Sequence, residues 1–315
     1  MDHNEWGLLI VNYLFLGGIS AGCFFASALA AFLQGGDRES YQRIARYGAW
    51  IAPWPVSLGS LLLIFDLGNW VRFYKLFLHF RWQSPMSIGS WLLMLFSAIA
   101  LLYCWSWLPG DVRRRLLAAL RAPHWLDRDL SRFRLPLAAA GLPLAVGVGI
   151  YTGVLLGAVQ SRPFWNTNLV AQMFLFSALS TGCAVLIAAL SLSSEGLDSH
   201  QARFLYTLDV CLAGLELFIV LPYLVHGELS VQAVRESLEL ILGGPYTFAF
   251  WFLFMGIGLL LPLALEVREL VPALLRGAPL HSNRWIAAVT AILVVFGGYA
   301  LRYVFVYAGQ ASRFR

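Results

Sequence analysis

Charge is the first thing this sequence lacks. Asp, Glu, Lys and Arg make up 12% of its 315 residues, about half the density of a soluble domain. Lysine is almost missing, with Lys75 alone among 22 basic residues. Cysteine is sparse: Cys23, Cys104, Cys183 and Cys211 stand singly in apolar stretches, without a Cys-x-x-Cys pair. That excludes a cysteine-held iron–sulfur cluster or zinc site encoded by this chain, and the four read as small buried hydrophobes. Histidine is missing from the apolar interiors. His3, His79, His124, His200, His226 and His281 all fall in loops or at run ends, which excludes the facing histidine pairs of a membrane haem. No phosphate-binding glycine loop is visible.

What is present is apolar. Hydrophobic residues are 59% of the chain and the mean hydropathy is +0.71, more apolar surface than a water-soluble fold of this size can hide. The 12 Trp and 12 Tyr suit a protein with two membrane interfaces. A membrane span needs about 20 mostly apolar residues in a helix, because lipid cannot satisfy free backbone groups. Eight segments qualify: 6–33, 47–67, 87–108, 135–159, 169–192, 205–225, 246–265 and 285–306. The first has no basic residues before it and is too long for a signal core, so it reads as the first span. Pro53 and Pro55 predict kinks in the second span, and Pro136 and Pro143 in the fourth.

Arginine placement gives an orientation. Of the 22 basic residues, 14 fall in or beside the loops after spans one, three, five and seven. The positive-inside rule then puts those loops in the cytoplasm and both termini on the periplasmic side of the inner membrane. The basic pI of about 9.2 thus reflects topology, and no nucleic-acid partner is implied. Ile19-Ser20-Ala21-Gly22-Cys23 in span one resembles Leu179-Ser180-Thr181-Gly182-Cys183 in span five. The copies are offset by four spans, so both point the same way, which is the pattern of a parallel repeat.

Ionisable groups inside a span are costly and default to functional hypotheses. Asp66 falls near the outer end of span two, Glu216 in the middle of span six and Arg302 near the outer end of span eight. Glu266 falls one residue from the water boundary and reads as structural. The loop after span two is rich in aromatic and basic residues, including Trp70, Arg72, Lys75, His79 and Arg81. Such a stretch suits anchoring in headgroups or docking a partner. Asn12 and Tyr13 in span one, with Tyr151 and Thr152 in span four, offer donors and aromatic walls for a quinone, or ordinary interhelical hydrogen bonds. These residues alone leave a quinone-reactive subunit level with a secondary transporter or proton channel, with a passive anchor as a third class.

A longer comparison of motifs separates these readings. The chain resembles the NrfD/polysulfide reductase membrane-subunit family along nearly its whole length. The resemblance runs through Asn12-Tyr13-Leu14-Phe15-Leu16-Gly17-Gly18-Ile19-Ser20-Ala21-Gly22, then Asp66-Leu67 to Ser84-Pro85-Met86-Ser87. It continues at Tyr151-Thr152-Gly153-Val154-Leu155-Leu156, Pro163-Phe164-Trp165-Asn166 and 174–182, then Glu216, Arg302-Tyr303 and Tyr307-Ala308-Gly309-Gln310. It implies an all-α integral membrane protein of eight transmembrane helices in two four-helix bundles, 1–160 and 161–315, the first binding quinone. It also implies a haem-free subunit that exchanges electrons between the quinone pool, menaquinone by preference, and a four-cluster ferredoxin-like iron–sulfur subunit. That partner would bridge to a molybdopterin catalytic subunit or a multihaem cytochrome. By the same resemblance Tyr151 donates to a quinone carbonyl, with Asn12 as the second contact. Tyr13, Thr152 and Trp70 are the further residues expected around the ring, and Asp66 is the expected proton exchanger beside it. Arg72, Lys75, His79 and Arg81 are expected to dock the partner, and Glu216 and Arg302 to form a deeper proton route in the second bundle. The family pocket can also use a histidine from span one, and this sequence has none between Asn12 and Cys23.

Overall fold

The computed structural model describes residues 6–33, 38–66, 83–119, 121, 123, 127–276, 280 and 283–312, excluding the side chains of residues 38, 66 and 276. Among these residues the chain is helical and has no strand. The helices are α1 (Leu8–Phe32), α2 (Arg38–Ile51), α3 (Pro53–Asp66), α4 (Pro85–Trp107), α5 (Gly110–Ala119), α6 (Arg134–Gly157), α7 (Asn168–Ser191), α8 (Ser199–Leu229), α9 (Gln232–Leu242), α10 (Leu261–Arg276) and α11 (Arg284–Ala311). A π-helical segment, Ala249–Leu260, runs into α10.

Eight helical segments are long and apolar enough to cross a bilayer, matching the eight expected spans in number and order. The protein is a multi-pass membrane protein. Span two is α2 and α3, interrupted at Ala52 because Pro53 has no N–H to continue the ladder. The Ser20 hydroxyl of α1 donates to the Ala52 carbonyl and covers the break. Through Pro143, by contrast, α6 runs on as one helix. Asp198 caps α8 by accepting from the backbone N–H groups of His200 and Gln201, while the Gln201 side chain accepts from the Asp198 N–H. This reciprocal pair satisfies donors that would otherwise be orphaned.

Two helices form the centre. The first, α1, packs on α2, α3, α6, α7 and α11, and α7 packs on α1, α6, α8 and α11. Small residues allow the closest approach: Gly22 and Gly182 face each other so tightly that a methyl on either would overlap the partner's backbone. Cys23 Sγ lies 3.5 Å from the Gly182 carbonyl oxygen. The two similar sequence segments therefore meet at one crossing, in helices with three spans between them. Since overpacking costs about 1–3 kcal/mol even in soluble cores, Gly182→Ala should lower the unfolding midpoint of purified protein. Gly214→Ala, where no described residue lies within 4 Å of the added carbon, should leave it unchanged; equal effects would contradict the crossing.

One expectation about the cysteines needs correction. Cys23 and Cys183 are buried, but Cys104 is half-buried and Cys211 is exposed, all four as free thiols. An outward position on α8 costs a small apolar side chain little, because lipid is as apolar as a protein core.

At the end of the bundle where α1 begins and α11 ends, the helices are tied together by the segments 162–166 and 305–312. The Gln310 side chain accepts from Trp6 N–H at 2.7 Å and donates to Trp6 C=O at 2.8 Å. Trp6 stacks on Trp165 at 5.2 Å, and Trp165 Nε1 donates to Phe305 C=O at 2.7 Å. Arg162 donates to the carbonyls of Gln310 and Ser312. On the opposite side, Arg113 meets Asp127 at 2.6 Å. That hydrogen bond, with the charges of Arg113 and Arg114, holds the Asp127 carboxyl below the usual range.

Candidate functional site

Two polar constellations lie within the apolar body. The first is built from α1, α4 and α6. Tyr13 is 1% exposed and Tyr151 6% exposed, and their phenol groups are electrostatic neighbours. The Tyr13 hydroxyl is buried without a well-formed hydrogen bond among the described residues. Leaving such a donor unpaired costs about 1–3 kcal/mol, so an acceptor arriving beside it would be favoured. Gly89 of α4 is the floor beneath the Tyr151 ring, and a methyl there would overlap the ring and its hydroxyl.

Asn12, one residue before Tyr13, is only half-buried. Thr152 points elsewhere: its hydroxyl donates to Gly149 C=O at 2.7 Å, and its methyl faces Gly17 of α1. The structure thus brings Tyr13 and Tyr151 together and turns the Thr152 hydroxyl onto its own helix. The main chain of Asp66 ends α3, but its side chain lies outside the described residues. Trp70, Arg72, Lys75, His79 and Arg81 lie wholly outside them.

The second constellation is built from α7, α8, α10 and α11. Arg302 is fully buried. Its guanidinium donates to Ser177 Oγ at 3.1 Å and Gly298 C=O at 2.6 Å, and lies over the Phe174 and Phe15 rings. A Cβ on Gly18 would come within 2.8 Å of it, so the glycine leaves room for the charge. Glu216 sits beside Ser177 and within electrostatic reach of Arg302. Seven residues earlier on α8, Asp209 accepts from Ser180 Oγ at 2.5 Å and faces the Glu266 carboxyl of α10.

Each of these four charged side chains carries at least one buried polar atom without a hydrogen-bond partner among the described residues. A cavity of about 10 Å³ between Ser177, Asp209, Glu216 and Glu266 has room for one water centre, which such groups would hold. The groups are strung along the helix axes. With about 1.5 Å rise per residue, Arg302 lies roughly 14 Å from the C-terminal end of α11. By the same rise, Asp209 lies roughly 15 Å from the N-terminal end of α8, and Glu266 roughly 15 Å from the C-terminal end of α10.

Glu266 therefore departs from the expectation of a carboxyl at the water boundary. It is 3% exposed, because α10 continues to Arg276, beyond the end of the apolar run. Asp209 escaped the sequence reading altogether. Its signal was the seven-residue spacing to Glu216, which puts both carboxyls on one helical face.

An eight-span helical membrane protein with a phenol pair near one face and a charged line through its other half is the class these features define. The family model for NrfD, polysulphide reductase, matches residues 1–312, and the chain belongs to that family. It is 30% identical to a polysulfide reductase component of Wolinella succinogenes, over 97% of this chain and 94% of that relative. It is 32% identical to protein NrfD of Escherichia coli, over 98% and 95%. Similarity extends to one of the selenate reductase subunits, from Mesobacillus selenatarsenatis, at 26% identity over 93% of this chain and 74% of the relative.

Proposed function

We propose that this chain is the haem-free, quinone-reactive membrane subunit of a multi-subunit oxidoreductase. It exchanges electrons between the quinone pool, with menaquinol as the expected donor or product, and an iron–sulfur partner of ferredoxin-like, four-cluster type. The partner leads on to a molybdopterin or multihaem catalytic subunit. The observation that carries this reading is the meeting of Tyr13 and Tyr151 over Gly89. A buried phenol without a good partner beside a second phenol is a donor set suited to a quinone carbonyl.

A bound quinone supplies a two-electron, two-proton couple; the chain's residues orient it and handle the protons. Tyr151 donates to one carbonyl, Tyr13 supports Tyr151, and Asn12 is the second donor, with Thr152 shaping the wall between α1 and α6. Asp66 exchanges protons close to the ring, with Trp70 beside it. Arg72, Lys75, His79 and Arg81 dock the partner on the periplasmic side. In this scheme residues 1–160 form the quinone half, and 161–315 carry Arg302, Glu216, Asp209 and Glu266 as a proton route. Both termini then face the periplasm of a cell whose inner membrane holds the complex.

Tyr151→Phe tests the assignment. Loss of one buried hydrogen bond is worth about tenfold in rate, so quinol-linked turnover of the purified complex should fall by about that much with assembly intact. Normal turnover would remove Tyr151 from the site. A second reading, a proton channel or secondary transporter, draws on the line of buried carboxyls in α8 and α10. Proton or solute flux through the chain alone in liposomes would favour it over the quinone reading.

A further inference from the structure

The arginine-rich side holds a cleft of about 480 Å³ between the ends of α2, α4 and α6, which neither constellation above uses. Its walls include Arg43, Arg46, Arg134, Trp107, Glu39 and Glu195. Three cations and two carboxylates leave the lining net positive, and the carboxylates are unevenly committed. Glu195 pairs with Arg43 at 3.2 Å, and Arg43 also donates to Ser193 Oγ at 2.6 Å. Arg46 and Arg134 have no ion-pair partner among the described residues. Asp129, the carboxylate that acts on Arg134 from outside the cleft, is bonded to the Ser131 N–H and hydroxyl at 2.9 and 3.0 Å.

Both of these arginines are held in place by aromatic rings. Arg134 lies over Trp107 at 4.2 Å and donates from Nε to Ser106 C=O at 3.0 Å, leaving its terminal amino groups to point elsewhere. Arg46 lies over Trp50 at 5.4 Å, and its Nε is buried without a hydrogen-bond partner among the described residues. Fixing a guanidinium by stacking keeps its donors ready while lowering the entropy lost on binding. Phe133 and Leu135, the chain neighbours of Arg134, are 41% and 47% exposed, which sets apolar side chains beside the cleft. An arginine-lined recess between spans, with tryptophan at its wall and lipid at its side, has the chemistry of a phospholipid headgroup site.

We propose that this cleft binds the phosphate of an anionic phospholipid from the leaflet on the arginine-rich side, with Arg46 and Arg134 as its principal ligands. Phosphate suits the guanidinium fork geometrically, and the acyl chains lie along the exposed flank. Arg113 and Arg114 take no part, being committed to Asp127.

The test is native mass spectrometry of the full purified chain in detergent, titrated with phosphatidylglycerol, with phosphatidylcholine, or with inorganic phosphate. Wild type should carry phosphatidylglycerol in preference to phosphatidylcholine. Arg46→Gln/Arg134→Gln should lower that occupancy about tenfold or more, while Arg115→Gln/Arg128→Gln, at exposed positions, should not. An unfolding midpoint close to wild type shows that the double variant has folded. If it has not, Trp107→Leu, which removes the platform under Arg134 together with an edge contact to Tyr103 and leaves both arginines in place, should weaken the same adduct. Equal occupancy in wild type and a folded variant would overturn the proposal, as would equal binding of phosphatidylcholine. Retention of inorganic phosphate without a preference for lipid would overturn it too, in favour of a soluble anion.

Discussion

Gly89→Ala should reduce quinol-linked turnover about a hundredfold, more than removal of the Tyr151 hydroxyl itself. The Tyr151 ring occupies the space that the new methyl needs, so the whole side chain must swing away, taking its hydroxyl from Tyr13. A misplacement of about 1 Å at a reacting group commonly costs on the order of 10²-fold. Tyr151→Phe, which keeps the ring in place, removes one hydrogen bond and should cost only about tenfold. Steady-state quinol oxidation by the assembled complex measures both, and Gly214→Ala serves as the neutral glycine control. If Gly89→Ala turned over normally, the ring at 151 would have no part in holding the substrate.

The second large effect is expected at Arg302. Arg302 and Glu216 are within electrostatic reach of each other without a direct ion pair among the described residues. Removing one should cost up to about 3–5 kcal/mol, the cost of a broken buried pair, the other being left uncompensated. Arg302→Met should therefore destabilise the protein by about that much, with Glu216 still buried in its old surroundings. Arg302→Met/Glu216→Gln removes both charges and should recover most of the loss. A double-mutant cycle in a mild denaturing detergent reads the coupling directly. Strictly additive effects of the two changes would show that Arg302 answers only to Ser177 and the Gly298 carbonyl.

Much of this molecule was legible from its amino acids, for reasons that differ between its parts. Lipid imposes a length and an apolar composition on every span, and the eight runs appear wherever those two conditions hold. The break before Pro53 follows from one missing N–H. Charge was harder to place, because hydropathy stops at the first charged residue while a helix does not. Glu266 looked like an end residue for that reason, yet α10 carries it ten residues away from its own terminus. Asp209 falls inside its own span, 205–225, and was missed for a different reason: its carboxyl partner Glu266 is brought beside it only by the packing of α8 against α10. The π-helical turn over Ala249–Leu260 has no sequence signal: its backbone register depends on what packs beside it, including the close contact of Gly258 with Gly297 of α11. The pairing of Tyr13 with Tyr151 was not foreseen: the resemblance pointed to Tyr151 with Asn12, and two phenols 138 residues apart carry no mark of their proximity.

The bonds between Trp6 and Gln310 join residues 304 apart in the chain. Synthesis runs from the first span to the last, so the N-terminal end of α1 must wait through the insertion of seven further spans for this partner. The tie between the first and last spans is then among the final events of biogenesis, completed only when α11 arrives. Shortening the protein before Gln310 would remove that tie.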